Sequence, residues 1–354
     1  MTHVFIAPHP DDVALSCGGL VSGLRELGQN VTIITVYSGG AREEPTAYQR
    51  TALGFGSKAV WPLTRAFRSD NIAADLPVAV AASGEPGWRA DADRLAITQD
   101  LANLQARQFW QRAAWTRSAN ITAAASDARP LPDSIQAQGS FEPVDFDAAD
   151  MAAIRRAEDE RYAFFAESSA IWLDLPDAVY RGYAGDDQLL GPVRDDDPAP
   201  IEALRREILR LEPQMVYAPL AVGNHVDHQL CREAALALLD EGRRWVMPGP
   251  DMVGRVAFYE DFPYAWWHDF RGPNEWPAGA LDLPPGMALE ARYSDISEAM
   301  ERKAAGIRLY ASQMPRLFHS DQAMLDALAS YHRKIAGAGG IEGYAERTWT
   351  AVSL

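Results

Sequence analysis

The first forty residues leave few options for the fold. His3 to Ala7 (HVFIA) is a short apolar strand, and Asn30 to Tyr37 (NVTIITVY) is a β-branched run. Between them, Asp12 to Leu27 carries Val13, Leu15, Leu20, Val21, Leu24 and Leu27 at helical spacing, with Gly28 as its stop. Ser38-Gly39-Gly40 ends the second strand. A strand, a helix and a strand so closely spaced form a β-α-β unit. A run without polar alternation suits a parallel strand buried on both faces.

The same alternation returns after residue 150. Asp150 to Ala166 is a charged amphipathic helix, Ile171 to Leu175 a strand, Met215 to Ala221 a strand, and Val226 to Leu239 a helix. Val253 to Tyr259 is a further strand and Ser294 to Gln313 a long helix. Asp195-Asp196-Asp197-Pro198 reads as the capped start of a helix reaching Leu211, with proline near the first turn and acid at the positive end. A cation site is the weaker reading of that run, because a helix follows directly. Alternation of this kind predicts an α/β fold, a Rossmann-like three-layer sandwich with a mainly parallel sheet. Residues 43–150 break it: alanine, glycine, proline and short polar residues dominate, with one helical stretch from Arg94 to Trp115 and a loop-like stretch from Ala123 to Asp145. They read as a large insertion (a lid, a pocket wall or a subunit contact) in a single domain spanning 1–354.

Composition narrows the function. With 33 basic and 49 acidic residues the formal charge is −16, which argues against a broad nucleic-acid surface or docking on an anionic membrane. No apolar run approaches the roughly 20 residues needed to cross a bilayer, and the acidic MTHVFIAPHPDDVALS start does not read as a secretory signal. The two cysteines, Cys17 and Cys231, read as core thiols, and the chain as a cytoplasmic protein. Nothing in the sequence forces or forbids a homo-oligomer.

Two clusters carry chemistry. His9-Pro10-Asp11-Asp12 stands where the first strand ends and the first helix begins; His225-Val226-Asp227-His228 stands at the matching place after Met215 to Ala221. In open α/β sheets, ligands sit outside the carboxyl ends of the strands. His9 and Asp12 can face one spot across the turn, and His225 and His228, three apart, share a helix face. Helix capping by Asp11 or Asp12 is the plainer reading, but a cap needs neither a preceding histidine nor two adjacent acids. Imidazole nitrogen with carboxylate oxygen and no thiolate suits zinc, or iron, manganese or cobalt. Three protein ligands plus water is the catalytic arrangement; the water so activated attacks amides and esters, with Asp11 placed to move its proton. Spacing alone leaves open which of His225 and His228 faces the metal.

These motifs resemble the PIG-L/LmbE-type zinc-dependent N-deacetylases, whose signatures are a HPDD run followed much later by HxDH. Three further matches come in order: Arg155-x-x-Glu158 with IWLDLPD (Ile171 to Asp177), YEDFP (Tyr259 to Pro263), and Lys303 with Tyr310-x-Ser312-Gln313. Together they cover about 1–42 and 151–315. The resemblance implies Zn2+ held by His9, Asp12 and His228, with Asp11 as general base. It implies that His225, oriented and kept cationic by Asp227, stabilises the oxyanion. Arg155 and Asp177 would contact a polar, sugar-like substrate. Val13 stands where many members carry glutamate, so one outer contact is missing. Trp61, Trp88, Trp110, Trp115 and the Tyr264, Trp266, Trp267, His268 group read as packing rather than as sugar-stacking surfaces.

The activity so implied is removal of an N-acetyl group from an N-acetylglucosamine-type sugar or glycoconjugate. Its rivals are an amidase of the same chemistry acting on a larger acyl group or a thiol-conjugated amino sugar, a non-catalytic sugar- or nucleotide-binding protein, and a purely structural metal site. No GxGxxG loop follows the first strand to favour nucleotide binding.

Overall fold

The computed structural model describes residues 1–40, 151–244, 254–273, 283–318 and 320–354. Residues 43–150, read above as an insertion, and the tryptophans within them lie outside the described residues. The first unit is β1 (Thr2–Ala7), α1 (Asp12–Glu26) and β2 (Asn30–Thr35). After residue 150 come α2 (Met151–Phe165), β3 (Ser169–Trp172), the short helix α3 (Asp186–Leu189), α4 (Ile201–Leu211), β4 (Met215–Pro219), α5 (Val226–Arg244) and β5 (Val256–Tyr259). The chain closes with α6 (Tyr264–Trp267), β6 (Met287–Asp295), α7 (Met300–Arg308), α8 (Met314–Leu317), α9 (Asp321–Ala338) and β7 (Ala345–Ser353).

The seven strands form one sheet in the order β3-β2-β1-β4-β5-β7-β6, with helices on both sides. The first five are parallel, and β7 runs antiparallel to both β5 and β6. The expected Rossmann-like α/β class is the one observed. Strand order reverses at β1, whose neighbours are β2 on one side and β4 on the other. That switch point opens a crevice at the carboxyl ends of β1 and β4.

Burial follows the sequence pattern. From the second residue on, β1 and β2 are wholly buried, as parallel strands covered on both faces must be. Helix α1 buries Val13, Ala14, Leu15, Cys17, Gly18, Gly19 and Val21. Its glycine pair permits close approach: a Cβ on Gly19 would lie 2.6 Å from Ile296 Cγ2. Val13 sits in the apolar core, so no polar contact replaces the glutamate expected there. Cys17 and Cys231 are buried and free, as core thiols are. Among the described residues no helix is long and apolar enough to cross a membrane.

In helix α2 the buried stripe is polar. Arg155, Glu158, Asp159 and Tyr162 face inward at helical spacing. Asp159 accepts from Thr35 Oγ1 at 2.7 Å, Trp172 Nε1 at 2.9 Å and Tyr310 Oη at 2.7 Å. Glu158 accepts from Ser312 N at 2.8 Å and Ser312 Oγ at 2.6 Å. The Arg-x-x-Glu and Tyr-x-Ser-Gln motifs are therefore partners, joining α2 to β2, β3 and the turn after α7.

Three expected elements differ. The strand read over Ile171 to Leu175 is Ser169–Trp172, set by its pairing with β2. The helix read from Asp195 begins only at Ile201, with Pro200 as N-cap and no side-chain cap. The long helix read over Ser294 to Gln313 starts at Met300, because Met287–Asp295 pairs along β7 as a strand.

Candidate metal and catalytic site

Each motif enters the crevice through a forced turn. Pro8, His9 and Pro10 carry the chain out of β1, and Asp11 takes the N-cap position of α1 at φ 96°, ψ −33°. A positive φ at a non-glycine residue costs on the order of 1–3 kcal/mol and concentrates at functional sites. Asp11 makes no side-chain capping bond. Capping therefore does not explain it, and its carboxylate is left to the crevice. On the other side, Ala221, Gly223 and Asn224 all take positive φ between β4 and α5. A Cβ on Gly223 would lie 2.4 Å from Tyr264 Cδ1, so only glycine fits.

The turns bring both motifs to one point. The imidazoles of His9, His225 and His228 can each offer a nitrogen such that the three lie within 4.8 Å of one another. Asp12 Oδ2 lies 3.4 Å from His9 Nδ1 and 3.4 Å from His228 Nε2. Donor atoms about 2.0–2.1 Å from a tetrahedral zinc are themselves roughly 3.3 Å apart. The donor set thus fits a divalent ion. The outer nitrogens are tied: His9 Nε2 pairs with Asp227 Oδ2 at 2.8 Å, and His228 Nδ1 with Asp261 Oδ1 at 2.6 Å. Carboxylates behind ligating histidines fix tautomer and ring orientation. They leave His9 Nδ1 and His228 Nε2 for the ion.

His225 differs. Its Nδ1 accepts the backbone N–H of Asp227 at 3.3 Å. In a neutral ring Nε2 then carries the proton, which makes it a donor and not a ligand. Burial, and the neighbouring His9, hold its pKa well below the usual range. The expected pairing of His225 with the Asp227 carboxylate is corrected by the geometry. That carboxylate is turned to His9, and Asp227 orients His225 only through its backbone. A neutral imidazole N–H still serves an oxyanion.

Electrostatics point the same way. Burial disfavours charge on His9, but Asp177, Asp12 and Asp227 outweigh it and push its pKa up to about 10. A site that draws a proton so strongly is short of positive charge. Burial, then the neighbouring Asp12, raises Asp11 to about 7, with Arg155 and His9 opposing. Burial also works against ionisation of Asp12 and Asp177, yet both are held below the usual carboxylate range, Asp12 by His228 and His9, Asp177 by His9 and Arg155.

Arg155 is buried between two acids, 4.0 Å from Asp11 Oδ1 and 3.6 Å from Asp177 Oδ2. Its Nε has no hydrogen-bond partner among the described residues. Arg155 and Asp177 also line a cleft with Pro10, Tyr37, Ser38, Gly39, Met151, Ala152 and Tyr180. All eight residues singled out from the sequence therefore meet in one region. Two supporting residues were not assigned a role from sequence. Asp261, within the noted YEDFP segment, holds His228. Arg181, which nothing in its neighbourhood marks, bonds Asp227. Tyr264 packs edge-on against His228 at 5.8 Å and Trp267 is buried, as packing residues would be.

Residues 4–81 match the family model described as PIG-L, GlcNAc-PI de-N-acetylase. The 2'-N-acetylparomamine deacetylase of Streptomyces fradiae is 31% identical over a match covering 50% of this chain and 62% of that protein. The match thus spans less than two thirds of that relative. Among solved structures, a triple mutant of a deacetylase of teicoplanin biosynthesis aligns with TM-score 0.54 and 23% identity over 100% of this chain and 99% of that one. A teicoplanin deacetylase in a zinc-inhibited form aligns with TM-score 0.54 and 22% identity over 100% and 99%. The A40926 pseudoaglycone deacetylase aligns with TM-score 0.54 and 18% identity over 99% and 97%. At such identities the structural likeness concerns the fold alone.

Proposed function

We propose, on the match of residues 4–81 to the PIG-L family model and the likeness to a deacetylase at 31% identity, that this chain is a metal-dependent amide hydrolase that removes the N-acetyl group of an amino sugar or glycoconjugate. The observation that carries this reading is the placement of Asp12 Oδ2 3.4 Å from both His9 Nδ1 and His228 Nε2, with an uncapped Asp11 beside it. His9, Asp12 and His228 would hold the ion, and Zn2+ best suits two imidazoles and a carboxylate. Such an ion lowers the pKa of a coordinated water toward ~7 and polarises a carbonyl.

Asp11 takes the proton released as water adds to the amide carbon. It returns that proton to the nitrogen as the C–N bond breaks, giving acetate and a free amine. The Nε2–H of His225 donates to the oxyanion that forms on the way. Arg155 and Asp177 offer a cation and an acceptor to sugar hydroxyls at the edge of the cleft. The relative at 31% identity is itself a deacetylase of 2'-N-acetylparomamine, which supports an N-acetylated amino-sugar substrate.

The test is acetate release from a panel of N-acetylated amino sugars, N-acetylglucosamine and aminoglycosides included, before and after chelation. Acetate formed with zinc and lost with chelator supports the reading. A larger acid from an N-acyl analogue, with no acetate, would move it to the rival amidase. Binding without turnover in zinc-loaded protein would leave a binding protein, and activity untouched by chelation a structural metal.

A further inference from the structure

Arg181 and Asp197 have no part in the chemistry above, yet they stand directly behind it. Arg181 Nε lies 2.9 Å from Asp197 Oδ1 and 3.1 Å from Asp197 Oδ2, and Nη2 lies 2.9 Å from Asp197 Oδ2. The same Nη2 donates to Asp227 Oδ1, and Nη1 donates to Pro176 O at 2.6 Å. The guanidinium lies over the Tyr37 ring, 4.4 Å from its centroid. The other oxygen of Asp227 accepts from His9 Nε2 at 2.8 Å and from Ala178 N at 3.1 Å. The Asp227 side chain is wholly buried, so no water replaces a lost partner cheaply.

We propose that Arg181, anchored by Asp197, is a positioning residue for the metal site, acting on His9 through Asp227. It rests on the reading of His9 as a metal ligand. By holding Oδ1, Arg181 turns Oδ2 toward His9, and that contact points His9 Nδ1 at Asp12. A guanidinium suits the place because its planar fork serves two carboxylates at once while one face stacks on Tyr37; an ammonium cannot do all three. The acid run that resembles a helix cap thereby finds a use. Asp197 lies four residues before α4 and binds Arg181 instead of the helix.

The experiment is zinc affinity of the metal-free protein, by competition with a chromophoric chelator, together with melting curves of the same metal-free samples. Arg181→Gln is expected to weaken zinc about 10- to 100-fold, the usual effect of removing such an outer partner. Arg181→Lys should not restore it. Asp197→Asn, which leaves the Arg181–Asp227 contact in place, should weaken zinc by a smaller factor and keeps the test alive if Arg181→Gln does not fold. The double variant should be no weaker than Arg181→Gln, because Asp197 acts only through Arg181. Arg206→Gln, exposed on α4, is the control. Zinc affinity within twofold of wild type in folded Arg181→Gln or Asp197→Asn overturns the proposal, as does a double variant whose losses multiply. A wild type that binds no zinc would instead remove the reading on which the proposal rests.

Discussion

Replacing Asp11 by asparagine separates catalysis from folding. The amide keeps the volume and shape of the carboxyl group but cannot accept a proton. Asp11 makes no capping bond, and the Arg155 guanidinium stands 4.0 Å from its carboxylate, so little binding energy within the protein is lost. Among the described residues, no neighbouring carboxylate is free to stand in. Asp12 lies between His9 and His228, Asp177 faces His9 and Arg155, and Asp227 is bonded on both oxygens. The loss of turnover should therefore approach the upper part of the range for general-base removal, about 10³- to 10⁴-fold, or roughly 4–5.5 kcal/mol of transition-state stabilisation. Zinc content should be unchanged. Stability should move the other way. Burial raises Asp11 to about 7, so its protonated form favours the fold below the unfolded value near 3.8 and that advantage is lost as pH rises through 7. Metal-free Asp11→Asn should thus gain on metal-free wild type between about pH 4 and 7, as chemical unfolding at several pH values would reveal. Turnover within tenfold of wild type would refute the base assignment. A variant that loses ground on wild type as pH rises through this window would refute the electrostatic account.

Other consequences are measurable. The acid limb of kcat/KM should report Asp11 and lie at or below pH 7, since a bound cation lowers its pKa further. Arg155→Gln removes a cation that holds Asp11 down and should shift that limb upward; an unmoved limb would separate the two residues. Glu260 accepts from Arg347 Nε at 2.6 Å, from Trp349 Nε1 at 2.8 Å and from the Tyr331 hydroxyl, and none of the three is a proposed metal ligand. Burial raises its pKa despite Arg347, so the intact pair adds little by itself, whereas Glu260→Ala strands a buried guanidinium. A loss of about 3–5 kcal/mol in denaturant unfolding, with zinc affinity unchanged, is expected. A loss below ~1 kcal/mol would show that the guanidinium finds water or another partner.

The parallel half of the sheet and the two site motifs were legible because both rest on local patterns. β1, β2, β4 and β5 are continuous apolar runs, and each histidine-bearing motif follows such a run directly. The antiparallel edge was not legible. β6 (MALEARYSD) alternates weakly and is half-buried, and only its pairing with β7 makes it a strand. Asp195 to Pro198 carries every local mark of a helix start, but Arg181, 16 residues earlier, claims Asp197. The partner of the Asp227 carboxylate is hidden from the sequence for the same reason. In sequence it lies beside His225, while in space its carboxylate meets His9, 218 residues away. Long-range ion pairs leave no periodic trace.

If His9, Asp12 and His228 hold a divalent ion, removing one of them removes the metal. Elemental analysis of purified wild type and His228→Ala, each incubated with zinc and desalted side by side, tests it most directly. Close to one zinc per wild-type chain is expected, with a sharp fall in the variant while it remains folded. Wild type without metal after incubation, or equal zinc in both proteins, would contradict it.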